Sequence, residues 1–279
     1  MNYRHAYHAG NFADCMKHAL LVWLVGALQR KPGALFLLDT HAGSGRYDLA
    51  SGEATRTGEW QQGIGRLLAG ETPEALTDYL ALVRASGAPA TYPGSPLLIR
   101  MMLREQDRLA CCELHEQEHA ALRRLFLGDA QVAVHARDGW AAPSAFLPPR
   151  EARRGLTLID PPFEQPDEFA RLIEAIRTSR RRFANGVVAV WYPIKHRAPV
   201  RDFHDRLRAA GEADLVCAEL VLRPPLDPQR LNGCGLLVAG PPWGFEAAAA
   251  GILDAIADRT GETEARADIT RLAPERSVA

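Results

Sequence analysis

Lysine is almost missing from this chain. It stands only at positions 17, 31 and 195, although lysine and arginine together number 33. Nearly all the positive charge is therefore arginine, whose flat fork suits phosphate and carboxylate contacts. A global basic field is lacking as well. The 33 cationic residues face 34 acidic ones, for a formal net charge of −1. Broad electrostatic capture of nucleic acid is excluded, and such a partner would have to be met by a local patch. RTSRRR at 177–182 and REARR at 150–154 are the obvious local clusters, although such runs also cap ordinary solvated helices. Long apolar runs are missing too. The longest, ALLVWLVGAL at 19–28, is too short to span a bilayer and lies between Lys17–His18 and Arg30–Lys31. The first residues, MNYRHAYHAGNFAD, are polar and aromatic where a secretory signal would be apolar, so a soluble cytoplasmic protein is expected. The five cysteines, at 15, 111, 112, 217 and 234, are odd in number and form no CxxC pair. Buried reduced thiols are expected, not a disulfide framework.

What the chain does contain is alternation. Asn11 or Asp14 is placed to cap a long helix running to about Gln29. GALFLLDTHAGSG at 33–45 reads as a buried strand entering a glycine loop. From about 47 to 105 helical patterns dominate and no strand stands out, with YPGSP at 92–96 as a break. Strands are then predicted in 107–115, 131–139, 156–163, 186–194, 214–222 and 233–243, separated by amphipathic helices. The residues from 259 are charged and read as a frayed tail. Apolar strands alternating with amphipathic helices give an α/β fold with a mostly parallel, Rossmann-like sheet covered on both faces. The predicted division is a core of 1–46 and 106–258, a helical insertion subdomain after the first strand at 47–105, and a tail at 259–279.

In such sheets ligands sit beyond the carboxyl ends of the strands. Here those ends read Asp39-Thr-His-Ala-Gly-Ser-Gly, Glu113, Asp138–Gly139 and Asp160-Pro-Pro-Phe. Four consecutive strands thus deliver an acid to one rim. The THAGSG loop is neither GxGxxG nor a P-loop, but its glycines allow close approach of a ligand to the backbone. A carboxylate after the second strand normally holds a ribose diol about 20 residues after such a loop. Glu113 lies much farther on, and the helical insertion accounts for the gap. A plain strand–helix turn would also explain the glycines. With Glu113 and Asp138 beside them, a nucleoside-containing cofactor is favoured.

The most informative stretch is LTLIDPPFEQP at 156–166. A buried strand ends on a carboxylate and then gives up two backbone N–H donors in a row. Asp160 and the carbonyl of Pro161 offer acceptors on a stiff corner, and Phe163 offers a flat ring. The matching guest is an NH2 group on a planar base. Two acceptors on its hydrogens favour a pyramidal nitrogen whose lone pair can attack an electrophile. The base has to be unstacked to reach the corner. GPPW at 240–243 lacks the acid and reads as a proline turn.

His115-Glu-Gln-Glu-His119 matches the H-E-x-x-H pattern of zinc hydrolases. On a helix, histidines four apart share a face and can chelate a metal. The motif, however, starts where a strand ends, its polar residues suit a solvated helix N-terminus, and a third ligand is not evident.

The acid–proline–proline–aromatic corner, with the glycine loop, Glu113 and Asp138 in this order, resembles the amino-methyltransferases that use S-adenosylmethionine. YRHAYHAGNFADCMKH, LDTHAGSGRYDL, YPGSP and LIDPPFE together resemble the RlmJ family, which methylates the N6 amine of an adenine in 23S ribosomal RNA. The resemblance extends to about residue 245. It implies a class I methyltransferase sheet and a monomer with no metal and no membrane anchor. It implies that Lys17 and His18 lie at the methionine end of the cofactor, with His41, Gly43 and Ser95 also touching it. Glu113 would hold the ribose, and Asp138 and Gly139 would meet the adenine. Asp160, Pro161, Pro162 and Phe163 would form the catalytic corner, with Asp160 also touching the cofactor, and Tyr3 and Arg4 would contact the target nucleotide. One departure is the glycine of GPPW, where the family carries an asparagine. A methyltransferase acting on DNA or another RNA, a catalytically silent RNA binder, and a zinc hydrolase using His115 and His119 are the competing readings.

Overall fold

The computed structural model describes residues 4–274. Asn11 settles where the first helix begins: its side chain accepts the Asp14 N–H at 3.0 Å, and the helix runs Phe12–Gln29. Asp14 therefore sits in the first turn and is free for other work. That helix lies on one face of a central sheet, together with Ser95–Met102 and Phe245–Thr260. Glu168–Arg182 and Arg197–Ala209 cover part of the other face.

The strands are β1 (Leu35–Asp39), β2 (Arg46–Asp48), β3 (Thr91–Pro93), β4 (Arg108–Glu113), β5 (Val132–Ala136), β6 (Arg154–Ile159), β7 (Gly186–Ile194), β8 (Leu215–Val221), β9 (Gly233–Ala239) and β10 (Arg266–Ala273). Eight of them form one sheet in the order β10-β8-β9-β7-β6-β1-β4-β5. β5, β4, β1, β6 and β7 are parallel; β9 and β10 run against their neighbours. Side-chain alternation divides the core between the faces. Leu35 and Leu37 join one cluster while Leu38 joins another. The same period sends the adjacent Cys111 and Cys112 to opposite faces, and all five cysteines are buried and unpaired.

Two expectations need correction. The 47–105 stretch does contain strand, because β2 and β3 pair antiparallel with Tyr47 opposite Tyr92. Three-residue strands are too short to show an alternating pattern. The helical part of the stretch comes in short pieces, Gly52–Thr57, Glu59–Gln62 and Ile64–Leu68, divided at Gly58 and Gly63. The described residues after 259 are not a frayed tail: the last helix continues to Thr260 and β10 pairs with β8 from Arg266↔Val221 onward. Charge on β10 reflects an edge strand with a solvated side, a common way of protecting an edge.

Candidate active site

The carboxyl ends of β1, β4, β5, β6 and β7 open into a cleft of about 1200 Å³. Its floor is set by an ion-pair relay from the N-terminal helix. Lys17 Nζ lies 2.9 Å from Asp14 Oδ1 and 2.5 Å from Asp160 Oδ2. Burial would lower the Lys17 pKa, but Asp14 and Asp160 raise it well above the ordinary lysine value. Burial would likewise raise Asp14, yet His5, Lys17 and His18 hold it well below the ordinary carboxylate range. His5 Nε2 meets Asp14 Oδ2 at 2.8 Å. The helix spacing explains the relay: residues 14, 17 and 18 stand three and four apart on one face. His18 is buried and bonded through Nδ1 to the Tyr92 hydroxyl at 2.7 Å, and burial lowers its pKa well below the usual histidine value.

Asp160 follows β6, and Pro161, Pro162 and Phe163 line the cleft beside it. Phe163 has φ of 52°, the left-handed region that a bulky residue rarely occupies. Edge-on contacts with Phe169 at 5.2 Å and Trp191 at 5.8 Å hold the ring in place.

Glu113 ends β4 and is tied down by backbone. Its Oε2 accepts the Gly43 N–H at 2.8 Å and its Oε1 accepts the His115 N–H at 2.7 Å. Burial raises its pKa and these two bonds partly offset that. Gly43 has φ of 60°, and a Cβ there would strike the Tyr47 hydroxyl. A Cβ at Gly139 would strike the Thr40 carbonyl oxygen and the His41 ring, so the β1 and β5 loops touch only because residue 139 is glycine. His41 lines the cleft and bonds Thr40 Oγ1 through Nδ1 at 2.8 Å. Its Nε2 is buried with no partner among the described residues, and burial pushes its pKa down to about 4. Asp138 caps the next turn by accepting the Trp140 N–H at 3.0 Å. The Arg171 guanidinium stacks 4.5 Å over Trp140 and lies 3.9 Å from Asp138.

Not every residue singled out in the sequence sits on the cleft wall. Asp39 does not reach the cleft with the other three acids. It is fully buried, accepts the Ser95 hydroxyl at 2.6 Å, and burial raises its pKa to about 7. Ser95 itself lines the cleft. Arg4 lies off the cleft wall, bonded to Gln117 and 3.6 Å from Glu53; Tyr3 is outside the described residues. His115 is the N-cap of Glu116–Leu125 in extended conformation, so it and His119 do not share a helical face as the zinc pattern requires. The two arginine clusters flank the starts of β6 and β7, at the rim opposite the cleft. GPPW is thrown to that same far rim because β9 runs backwards. Trp243 there is 92% exposed.

The profile of the family described as ribosomal RNA large subunit methyltransferase D, RlmJ, matches residues 32–271. The chain belongs to this family. It is 39% identical over 251 residues to the ribosomal RNA large subunit methyltransferase J of Haemophilus influenzae, covering 88% of this chain and 89% of that one. The Escherichia coli K12 protein of the same name is also 39% identical, over 250 residues, with the same coverage. The crystal structure of LPL1258 from Legionella pneumophila superposes with a TM-score of 0.87 at 33% identity, covering 95% of this chain and 98% of that one. Membership of the RlmJ family sets the hydrolase reading of His115 and His119 aside. Several residues now placed at the cleft carried no signal of that role in the sequence. His5 and Asp14 belong to the relay, and Trp140 and Arg171 form a stacked pair beside Asp138. Only Asp14 had been singled out, as an alternative cap.

Proposed function

We propose that this protein transfers a methyl group from S-adenosylmethionine to the N6 amine of an adenine in 23S ribosomal RNA. The observation that carries the proposal is the Asp160 carboxylate in the cleft, bridged to Lys17 at 2.5 Å and followed by the Pro161–Pro162–Phe163 corner. When bound, the methyl donor supplies an activated sulfonium carbon, so neither a metal nor a strong base is demanded by the chemistry.

The residues around the cleft fit that donor. The buried, unpartnered Nε2 of His41 and the tight Gly139 contact mark a wall shaped for a polar ligand. Glu113, fixed by two backbone N–H groups, keeps lone pairs for a ribose diol. Asp138 and Gly139 would meet the adenine; His41, Gly43, Ser95, Lys17 and His18 would flank the amino-acid end.

On the acceptor side, Lys17 pairs with the Asp160 carboxylate and fixes its orientation. Asp160 and the Pro161 carbonyl then accept the two amine hydrogens of a flipped base, and Phe163 stacks on it. Holding the amine and donor in line accounts for most of the acceleration. The proton leaves after attack, when the nitrogen has become acidic. In this scheme the eight-stranded sheet, β10 included, and the helices on its faces form the catalytic core, and 47–105 forms an insertion that shapes the mouth.

Purified protein with radiolabelled S-adenosylmethionine is expected to label 23S rRNA taken from cells lacking the enzyme, at one adenine. 16S rRNA and duplex DNA should stay unlabelled. Label on the DNA and none on the 23S rRNA would defeat the reading of the substrate.

A further inference from the structure

The family resemblance leaves open how the RNA strand is held, because the two arginine runs lie at the wrong rim. The cleft wall beyond β7 suggests an answer. Lys195 follows β7 directly, and the β8–β9 connection, RPPLDPQRL at 223–231, rises beside it. Lys195, Arg223, Gln229 and Arg230 all line the cleft.

The wall is built, not loose. Asn232 is 1% exposed and its side-chain amide donates to the Lys195 carbonyl at 2.8 Å and the Asp227 carbonyl at 2.7 Å. Its backbone N–H donates to the Ile194 carbonyl at 3.0 Å. Asp227 accepts the Gln229 N–H at 2.9 Å, and Pro224, Pro225 and Pro228 restrict the remaining backbone. One buried asparagine thus locks the strand end that carries Lys195 to the loop that carries Arg230.

The cations on this wall are not equivalent. Arg223 is neutralised by Glu262 and bonds the Leu231 carbonyl. The Lys195 and Arg230 side chains are exposed and make no hydrogen bond or ion pair among the described residues. Two unneutralised cations on a fixed wall of the cleft, in a chain of net charge −1, form a directed anion-binding edge. Asp160 lines the same cleft as this wall.

We infer that Lys195 and Arg230, held in register by Asn232, grip the phosphates flanking the target adenine. This rests on the reading of the substrate as RNA. Phosphate contacts position a strand without reading its sequence, so the pair should act on RNA affinity and leave donor binding alone.

The test compares Lys195→Ala/Arg230→Ala with wild type and with Arg153→Ala/Arg181→Ala at the far rim. Each is titrated with a 23S rRNA hairpin at several salt concentrations, and with S-adenosylmethionine alone. The first variant should weaken RNA binding about tenfold or more at low salt and flatten the log Kd against log salt slope by about 1.5. KM for RNA should rise, kcat should hold within about twofold, and donor affinity and melting temperature should match wild type. Arg230→Glu should exaggerate the loss. Unchanged RNA affinity and slope in the Lys195/Arg230 variant, or the same loss in the far-rim variant, would overturn the inference. Wild-type protein that binds and methylates no RNA would instead bring down the substrate reading itself.

Discussion

Along β1, β4 and β5 the cleft is finished in backbone: Glu113 is clamped by two N–H groups, and Gly43 and Gly139 bring loops into contact. Beyond β7 it is finished in side chains, with Lys195 and Arg230 exposed on a proline-stiffened edge. Between them stands Asp160, anchored by Lys17 from a helix distant in sequence. The contrast fits a small donor of constant shape on one side and a long, flexible polyanion on the other. A rigid pocket suits the first, since preorganised groups need no rearrangement at each turnover. Charged edges suit the second, since phosphate attraction tolerates variation in the path of the strand.

The sharpest way to break this comparison is at its centre. Asp160→Asn keeps the shape but turns one acceptor oxygen into a donor. Activity on 23S rRNA should fall by about 10³-fold, while donor affinity changes little. Retained activity would mean that the corner does not hold the amine. Next comes the donor side. Glu113→Gln replaces an oxygen that accepts a backbone N–H, and weakens the hold on a diol. The dissociation constant for S-adenosylmethionine should rise about hundredfold, with RNA affinity unaffected. An unchanged constant by calorimetry would place the ribose elsewhere.

A third test concerns Asp39, the strand-end acid that turned inward. Its folded pKa of about 7 lies above the ordinary 3.8 because burial disfavours the charge. The folded protein therefore binds the extra proton between about pH 4 and pH 7, and Asp39 costs stability as pH rises through that window. Asp39→Asn removes the linkage. Relative to wild type, the variant should gain on the order of 4 kcal/mol between pH 4 and pH 8, read from urea unfolding. Parallel stability curves for the two proteins would show that Asp39 is ionised throughout.

The two sides also differ in how well they can be read from sequence. β1, β4, β5 and β6 are short apolar runs, and each ends on an acid or a glycine turn. Parallel order then forces those ends to one rim, so Glu113, Asp138 and Asp160 were legible as a group. Asp39 was legible as an acid but not as a buried one, since its partner Ser95 lies in the insertion, 56 residues away. Lys17 was legible only through a family resemblance, because no local pattern tells that residue 17 will meet residue 160. Beyond β7 the chain reverses direction, and nothing in the apolar run of β9 announces it. That reversal moved GPPW away from the cleft and brought 223–231 to it. The edge strand β10 was hidden by its own charge.

GPPW gives the mildest test, and the one that bears on the reversal itself. By sequence it is a near copy of the catalytic corner: glycine, two prolines and an aromatic at the end of an apolar strand. By structure it follows β9, whose Ala239 pairs with Val188 near the start of β7, so it sits at the far rim. Gly240 turns with φ of 69°, a Cβ there would lie 2.5 Å from Arg180 Nη1, and Trp243 projects into solvent. Trp243→Ala removes almost no buried surface, so stability should change by less than about 0.5 kcal/mol. Methylation rate and both dissociation constants should match wild type. A loss of activity with the fold intact, by near-ultraviolet circular dichroism and melting, would mean that the aromatic at the second proline pair takes part in the reaction. The assignment of cleft and far rim to opposite ends of the sheet would then have to be given up.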